Sequence, residues 1–456
     1  MTYKELFCQS PKYNRLLRLS VPLVLASLGL VFMQFTDAIF LSWYSPTAIA
    51  AAGIAGMLNW LLLSPIVGTV SYTGTITANN LGADLDNKTG SMIWQGVYLA
   101  LIGGLITFLL SFASDFFFSL TGHSPDLQVF ETQYLRILLA GGVLNFIACA
   151  ISGFFIGRGD NTRLMVAQLS GQVANVVLDY VMIFGKFGFP EMGVAGAALA
   201  TVLSNLFTIA FLTYWFFKRD NRKRFITCDW HPNMLPIRQL LRFGLPNGLQ
   251  WAVSAFLWSL FLAAVDRIGT VELAATSIAF RLNGLASVPV AAVSRALGTL
   301  VGKSHGELNH KDAVAYMGHG TVVCQVWMTL IAVTYVVLPE YYFELFKSDS
   351  NSGAFTELMA CGVTLLRFVA LYCLADSINI ALCAGLQAVG ATKWIFKGVS
   401  IVTFLVIIGI MFADYYKCGL MVIWSLITFF IMALPPLWFF RIRSGAWKSI
   451  RVATES

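Results

Sequence analysis

Long apolar stretches alternate with short polar ones along almost the entire chain. Twelve of these stretches, near 16–41, 48–78, 91–114, 128–157, 162–185, 191–217, 240–265, 272–302, 313–338, 358–388, 392–413 and 418–440, carry too few charges to be soluble helices. A helix of about 20 residues rising 1.5 Å per residue crosses about 30 Å of hydrocarbon, so each stretch can span a bilayer. The pattern predicts an all-α integral membrane protein with twelve transmembrane helices.

The pattern also repeats. Residues 16 to 82 align with residues 240 to 306 at a constant offset of 224 and without a gap. The matches include Leu16/Leu240, Arg18/Arg242, Pro22/Pro246, Asn59/Asn283, Pro65/Pro289, Gly74/Gly298 and Gly82/Gly306. Apolar bias alone does not align prolines, an arginine and an asparagine. The reading is an N-lobe over 1–217, a linker over 218–239, a C-lobe over 240–441 and a tail over 442–456. Six spans on each side is an even number, so both lobes enter the membrane in the same direction, related by a pseudo-two-fold axis along the membrane normal. Duplicated membrane halves are a common architecture of secondary transporters, with the sites near the midplane.

Composition agrees: 57% of the 456 residues are hydrophobic, 12% are charged, and mean hydropathy is +0.73. The net charge of +7 does not indicate nucleic acid, because of where the cations lie. With the N-terminus inside, the inner segments hold 22 of the 30 Lys and Arg, and the outer loops hold only Lys186, Arg267, Lys347 and Lys417. This bias places both termini in the cytoplasm and fits a cell inner (plasma) membrane. Lys218 to Arg224 then reads as linker and topology signal. The eight cysteines, Cys8 among them, contain no CxxC pair, so disulfide and zinc readings are weak. The five histidines are read as loop-biased and unclustered, which leaves no catalytic constellation.

Carboxylates at membrane depth cost about 3 kcal/mol or more to insert, which makes each a candidate for function. Asp37, Asp179 and Asp376 stand out. Asp37 has Phe261 as its repeat partner, so the duplication has diverged at the costliest residue. Asn175 and Asp179 share a helix face at i, i+4, and with Asp37 they offer several oxygens to a proton or to Na⁺. Tyr134 and Thr201 are further members that spacing alone does not place. Two alternatives stay open: Asp179 as a hydrated group near the outer end of its span, and Asp376 as half of an ion pair with Arg281, Arg295 or Arg367. Met33, Gln34, Phe256 and Trp258 fall on spans expected to border a central cavity, where aromatic faces attract organic cations.

With these segments in hand, the chain resembles the multidrug and toxic compound extrusion (MATE) family over nearly its whole length. The likeness rests on Pro22 with Gln34-Phe-Thr-Asp37, on Gly157-Arg-Gly-Asp160-Asn-Thr162-Arg163, on Asn175-Val-Val-Leu-Asp179 and on Met192-Gly-Val-Ala-Gly196-Ala-Ala-Leu-Ala-Thr201. The resemblance implies a secondary transporter, not an enzyme, that exports amphipathic and often cationic small molecules in exchange for H⁺ or Na⁺, without a cofactor. It implies a cation site of Asp37, Asn175, Asp179, Tyr134 and Thr201, and C-lobe positions at Tyr372 and Asp376. The chain departs from one branch at Ser254, where a membrane glutamate is expected, which favours the N-lobe as the coupling site. Pro22 is the expected bending point of the first helix. A monomer in the lipid bilayer is expected. The rival reading is a flippase for a lipid-linked saccharide precursor, which would want arginines at membrane depth; Arg136, Arg281, Arg295 and Arg367 are the candidates.

Overall fold

The computed structural model describes residues 11–345 and 352–453; Cys8 and Lys347 lie outside them. The helices are α1 (Pro11–Tyr44), α2 (Pro46–Val70), α3 (Thr73–Gly82), α4 (Thr89–Ser111), α5 (Ser114–Ser119), α6 (Pro125–Ala140), α7 (Gly142–Arg158), α8 (Asn161–Ile183), α9 (Val194–Phe216), α10 (Arg219–Phe225), α11 (Met234–Asp266), α12 (Thr270–Gly306), α13 (His310–Val337), α14 (Pro339–Glu344), α15 (Ser352–Ala388), α16 (Thr392–Tyr415) and α17 (Leu420–Arg443). No strand occurs among the described residues. Twelve helical segments are long and apolar enough to cross a membrane, and each overlaps one of the twelve stretches read from the sequence.

Local chemistry sets the helix ends. Pro46 and Pro125 open α2 and α6, where a missing N–H costs nothing. Ser45 caps α2, its side chain accepting the Thr47 N–H at 3.2 Å. Hydropathy did not predict two breaks. The second stretch interrupts at Ser71–Tyr72, between α2 and α3, and the fourth interrupts at Gly141, between α6 and α7. Both sides of each break stay apolar, so a hydropathy profile passes over them. The repeat has diverged here too, since α12 runs unbroken through Arg295–Ala296, the partners of Ser71–Tyr72.

By contact the described chain forms two compact units. One holds residues 19–252, 302–309 and the tail from 451; the other holds residues up to 18, 253–301 and 310–450. In the first unit α8 packs most densely on α9, α4 on α7, and α2 on α6. In the second, α13 and α17 both pack on α15, and α16 packs on α17. Within the first unit the repeat meets itself: a Cβ on Gly82 would lie 2.0 Å from the Lys303 carbonyl, and one on Gly306 would lie 2.1 Å from the Asn79 carbonyl. Gly82/Gly306 and Asn79/Lys303 are both pairs at the offset of 224, so this close backbone crossing is reciprocal and both glycines are required.

The linker is more ordered than a tether. Residues 219–225 form α10, Arg224 Nε pairs with Asp86 Oδ2 at 2.6 Å, and the Arg158 guanidinium stacks 4.4 Å from the Phe225 ring centre. The carbonyls of Thr227, Trp230 and His231 accept hydrogen bonds from Trp94, Tyr98 and Gln95 on α4.

Candidate functional site

The site residues lie on α1 from Leu19 onward, α6, α8 and α9, within one unit. In α8, Asn161, Gln172, Asn175 and Asp179 fall at i, i+11, i+14 and i+18, which is one helix face, since 18 residues make five turns. That face addresses α1. Asn161 Nδ2 donates to the Leu19 carbonyl at 2.7 Å, and Gln172 Nε2 donates to the Ala26 carbonyl at 3.0 Å. The two bonds flank Pro22, where the helix ladder lacks a donor. Pro22 has no N–H for the Arg18 carbonyl, and donors from a neighbouring helix at carbonyls in its vicinity are how a membrane helix tolerates a proline.

At the other end of the stripe the carboxyl groups of Asp37 and Asp179 lie within hydrogen-bond range of one another. The Asn175 amide, oriented to suit its neighbours, donates from its nitrogen to Asp37 Oδ1 at 3.0 Å and accepts the Thr201 N–H at 3.3 Å. Tyr134 lies within electrostatic reach of both acids. Asn175 and Asp179 are fully buried, and Asp37 and Tyr134 are half-buried. Asp179 Oδ1 is buried with no hydrogen-bond partner. It is therefore not a hydrated group at the helix end. The chain closes over it, with the N–H groups of Met192 and Gly193 bonded to the carbonyls of Met182 and Ile183. Gly193 has φ +52° and leaves no room for a Cβ beside the Tyr44 ring, so only glycine makes this turn.

Thr201 takes part differently from the expectation. Its hydroxyl donates back to Ala197 at 3.0 Å, and it is its backbone N–H that reaches Asn175. A threonine hydroxyl in a helix commonly bonds its own preceding turn in this way.

In the other unit, Asp376 is half-buried on α15 and accepts from Asn379 Nδ2 at 3.1 Å, and Asn379 Oδ1 in turn accepts from Trp438 Nε1 at 2.7 Å. None of the ion pairs among the described residues involves Asp376, so an amide rather than an arginine is its partner. Tyr372, one turn earlier, is buried, stacks on Trp424, and has a hydroxyl without a partner. Of the arginines read as buried, Arg281 and Arg367 are exposed, and Arg136, placed at membrane depth by its position in the sequence, pairs at the surface with Asp115. Long guanidinium stems reach out of an apolar helix face more cheaply than the charge can be buried.

Of the residues expected to line a cavity, Met33 is half-buried and Gln34 exposed on α1, while on α11 Ser254 and Trp258 are half-buried and Phe256 is exposed. The two groups belong to different units. Trp258 packs its ring edge-on against Phe280 at 5.1 Å and Phe261 at 5.9 Å, in an aromatic cluster completed by Trp424. Sequence reasoning assigned nothing to Asn161 and Gln172; the signal was the polar face they share with Asn175 and Asp179. It also misread two histidines, since His305 and His319 are buried within α12 and α13.

Twelve apolar helical segments among the described residues, with a pair of carboxylates held inside one unit, describe a multi-pass membrane transporter. The profile of the MatE family matches residues 22–181 and 248–413, one stretch on each side of the linker, and the chain belongs to that family. Among its relatives, the probable multidrug resistance protein NorM of Thermotoga maritima is 26% identical over 97% of this chain and 94% of that protein. The multidrug resistance protein NorM of Aliivibrio fischeri is 25% identical over 84% of this chain and 82% of that one. Solved structures share the fold. A MOP superfamily transporter from Pyrococcus furiosus superposes with a TM-score of 0.86 at 23% identity, covering 96% of this chain and 97% of the other. A MATE in the bent conformation superposes with 0.84 at 24% identity, covering 96% and 97%. The chain is accordingly a secondary transporter with small-molecule substrates, not an enzyme.

Proposed function

We propose that this protein exports amphipathic, often cationic, small molecules in exchange for H⁺ or Na⁺ by alternating access, with Asp37 and Asp179 as the coupling site. The observation that carries the reading is the pair of carboxyl groups within hydrogen-bond range, one of them fully buried with an unpartnered oxygen. Ionised carboxylates only accept hydrogen bonds, so the arrangement needs a proton or a cation between them. Asn175 orients Asp37, Thr201 fixes the Asn175 amide, and Tyr134 lies within electrostatic reach of both acids. The names of the NorM relatives support multidrug substrates.

In the proposed cycle a cation arrives from outside and neutralises the acid pair. Neutral acids can be enclosed without the cost of burying charge, and α1 bends at Pro22 between its anchors at Leu19 and Ala26. Release of the cation to the cytoplasm resets the site, and each charge moved inward draws about 2.3 kcal/mol per 100 mV of membrane potential. The six-and-six lobe organisation, cytoplasmic termini, an inner-membrane location and a monomeric state belong to the same proposal. A second reading, export of a lipid-linked anionic precursor, draws support from the exposed Arg281 and Arg367 on apolar spans. Ethidium export from vesicles, driven separately by pH and Na⁺ gradients, tests the first reading. Export that follows one gradient is expected, and export that follows neither contradicts it.

A further inference from the structure

One carboxylate near the coupling site has no part in the scheme above. Glu131 lies in the second turn of α6 and is completely buried. Both of its oxygens face His123 Nδ1, at 2.9 and 3.1 Å, and the His123 side chain is 31% exposed. The pair therefore reaches from solvent to the interior at the end of the bundle that the charge asymmetry assigns to the outside. Its geometry is fixed from both sides, since Gln128 Nε2 donates to the His123 carbonyl at 2.9 Å. Glu131 precedes Tyr134 by one turn on the same helix, about 4.5 Å along the axis, and Tyr134 lies within electrostatic reach of Asp37 and Asp179.

The surroundings isolate this pair. The helices packed on α6 are α2, α4, α5, α7 and α9. The sequences of α2, α4 and α9 contain no Asp, Glu, Lys, Arg or His, and only tyrosines Tyr98 and Tyr214 among titratable groups. Asp115 of α5 is taken by Arg136 at the surface, Arg158 closes the far end of α7, and Asp126 sits in the first turn of α6 itself. From α1 and α8 come the coupling acids, with Tyr44 and Tyr180. On α6, Glu131 and its His123 partner lie between the solvent-exposed start of the helix and Tyr134.

We propose that His123 and Glu131 form the external entrance for the coupling cation and that this cation is H⁺. The inference rests on the coupling-site reading and narrows its choice of ion. An imidazole takes up a proton from water in the range where external pH varies. Passing it on breaks the Nδ1–H bond and forms an O–H bond on Glu131. The imidazolium and carboxylate charges cancel, and the neutral carboxyl now holds a proton it can donate inward toward Tyr134 and the acids. A Na⁺ route has no use for an imidazole at its mouth, because a cation is bound by oxygens.

The test uses the full-length protein in vesicles loaded with ethidium, with the interior held at a constant pH increment above the exterior so that the driving force does not change. Raising external pH from about 5.5 to about 7.5 lowers the protonated fraction of an ordinary imidazole, and with it the expected wild-type export, about tenfold. In His123→Asn and in Glu131→Gln the decline is expected to flatten to less than about twofold, with ethidium affinity in detergent unchanged. His123→Asn, at a partly exposed position, decides the matter if Glu131→Gln fails to fold. Variants that export more slowly but keep the wild-type pH profile would make the pair a structural brace and overturn the proposal, as would wild-type export driven by Na⁺ without pH dependence. Full export by Asp37→Asn in the same vesicles would instead sink the coupling-site reading beneath it.

Discussion

Asp37 and Phe261 occupy the same position in the two copies of the repeat, and their surroundings have nothing in common. Asp37 sits half-buried among Asn175, Asp179 and Tyr134. Phe261 is completely buried against Trp258, Phe280 and Trp424. In the proposed scheme the repeated scaffold carries the coupling chemistry in one copy, and at the matching position the other copy carries packed rings. A carboxylate is retained in an apolar helix only where neighbours compensate it. α8 supplies such neighbours opposite Asp37, and the aromatic cluster around Phe261 supplies none. The C-half keeps a carboxylate elsewhere, at Asp376, and there an amide donor from Asn379 engages it, where Asp37 has a second acid as its neighbour.

The contrast can be broken most forcefully from the polar side. Asp37→Asn should leave a folded protein whose ethidium gradient collapses; loss of one coupled charge at 100 mV forfeits about 2.3 kcal/mol, or about fortyfold in accumulation. Accumulation at the wild-type level would contradict the assignment. From the apolar side, Phe261→Asp places an unpaired charge among aromatic rings and should destabilise the protein by about 4 kcal/mol. It should also fail to restore export when combined with Asp37→Asn. A thermal-shift assay in detergent reads the first effect, and a variant as stable as wild type would show that the cluster is less dry than its burial implies. A smaller change sharpens the role of the α8 stripe. Gln172→Leu removes the donor to the Ala26 carbonyl beside Pro22 and should cost about 1 kcal/mol, with export slowed while ethidium affinity holds. An unchanged export rate would reduce that bond to simple packing.

Much of this contrast is legible in the sequence. The twelve spans follow from hydropathy and length. Asp37, Asn175 and Asp179 announce themselves because polar groups in apolar helices are expensive, and the structure places them together. The breaks at Ser71–Tyr72 and Gly141 escaped, because a helix can stop and restart without any change in apolar character. The arginines misled: a cation in an apolar stretch reads as buried, whereas a long side chain can leave the helix face, as Arg281 and Arg136 do. Thr201 was found by type, but its hydroxyl turned to its own helix and left the backbone to make the contact. Glu131 and His123 were invisible as a pair, because the loop that returns the imidazole to the carboxylate carries no periodic signal.

The most direct test of the central claim compares Asp37→Asn with Asp376→Asn in gradient-driven ethidium export from the same vesicles. The account predicts that export collapses in the first and stays within about threefold of wild type in the second, the scale of a substitution that removes no coupling group. Equal loss in both, or loss confined to the Asp376 variant, would place the coupling site in the other half of the chain.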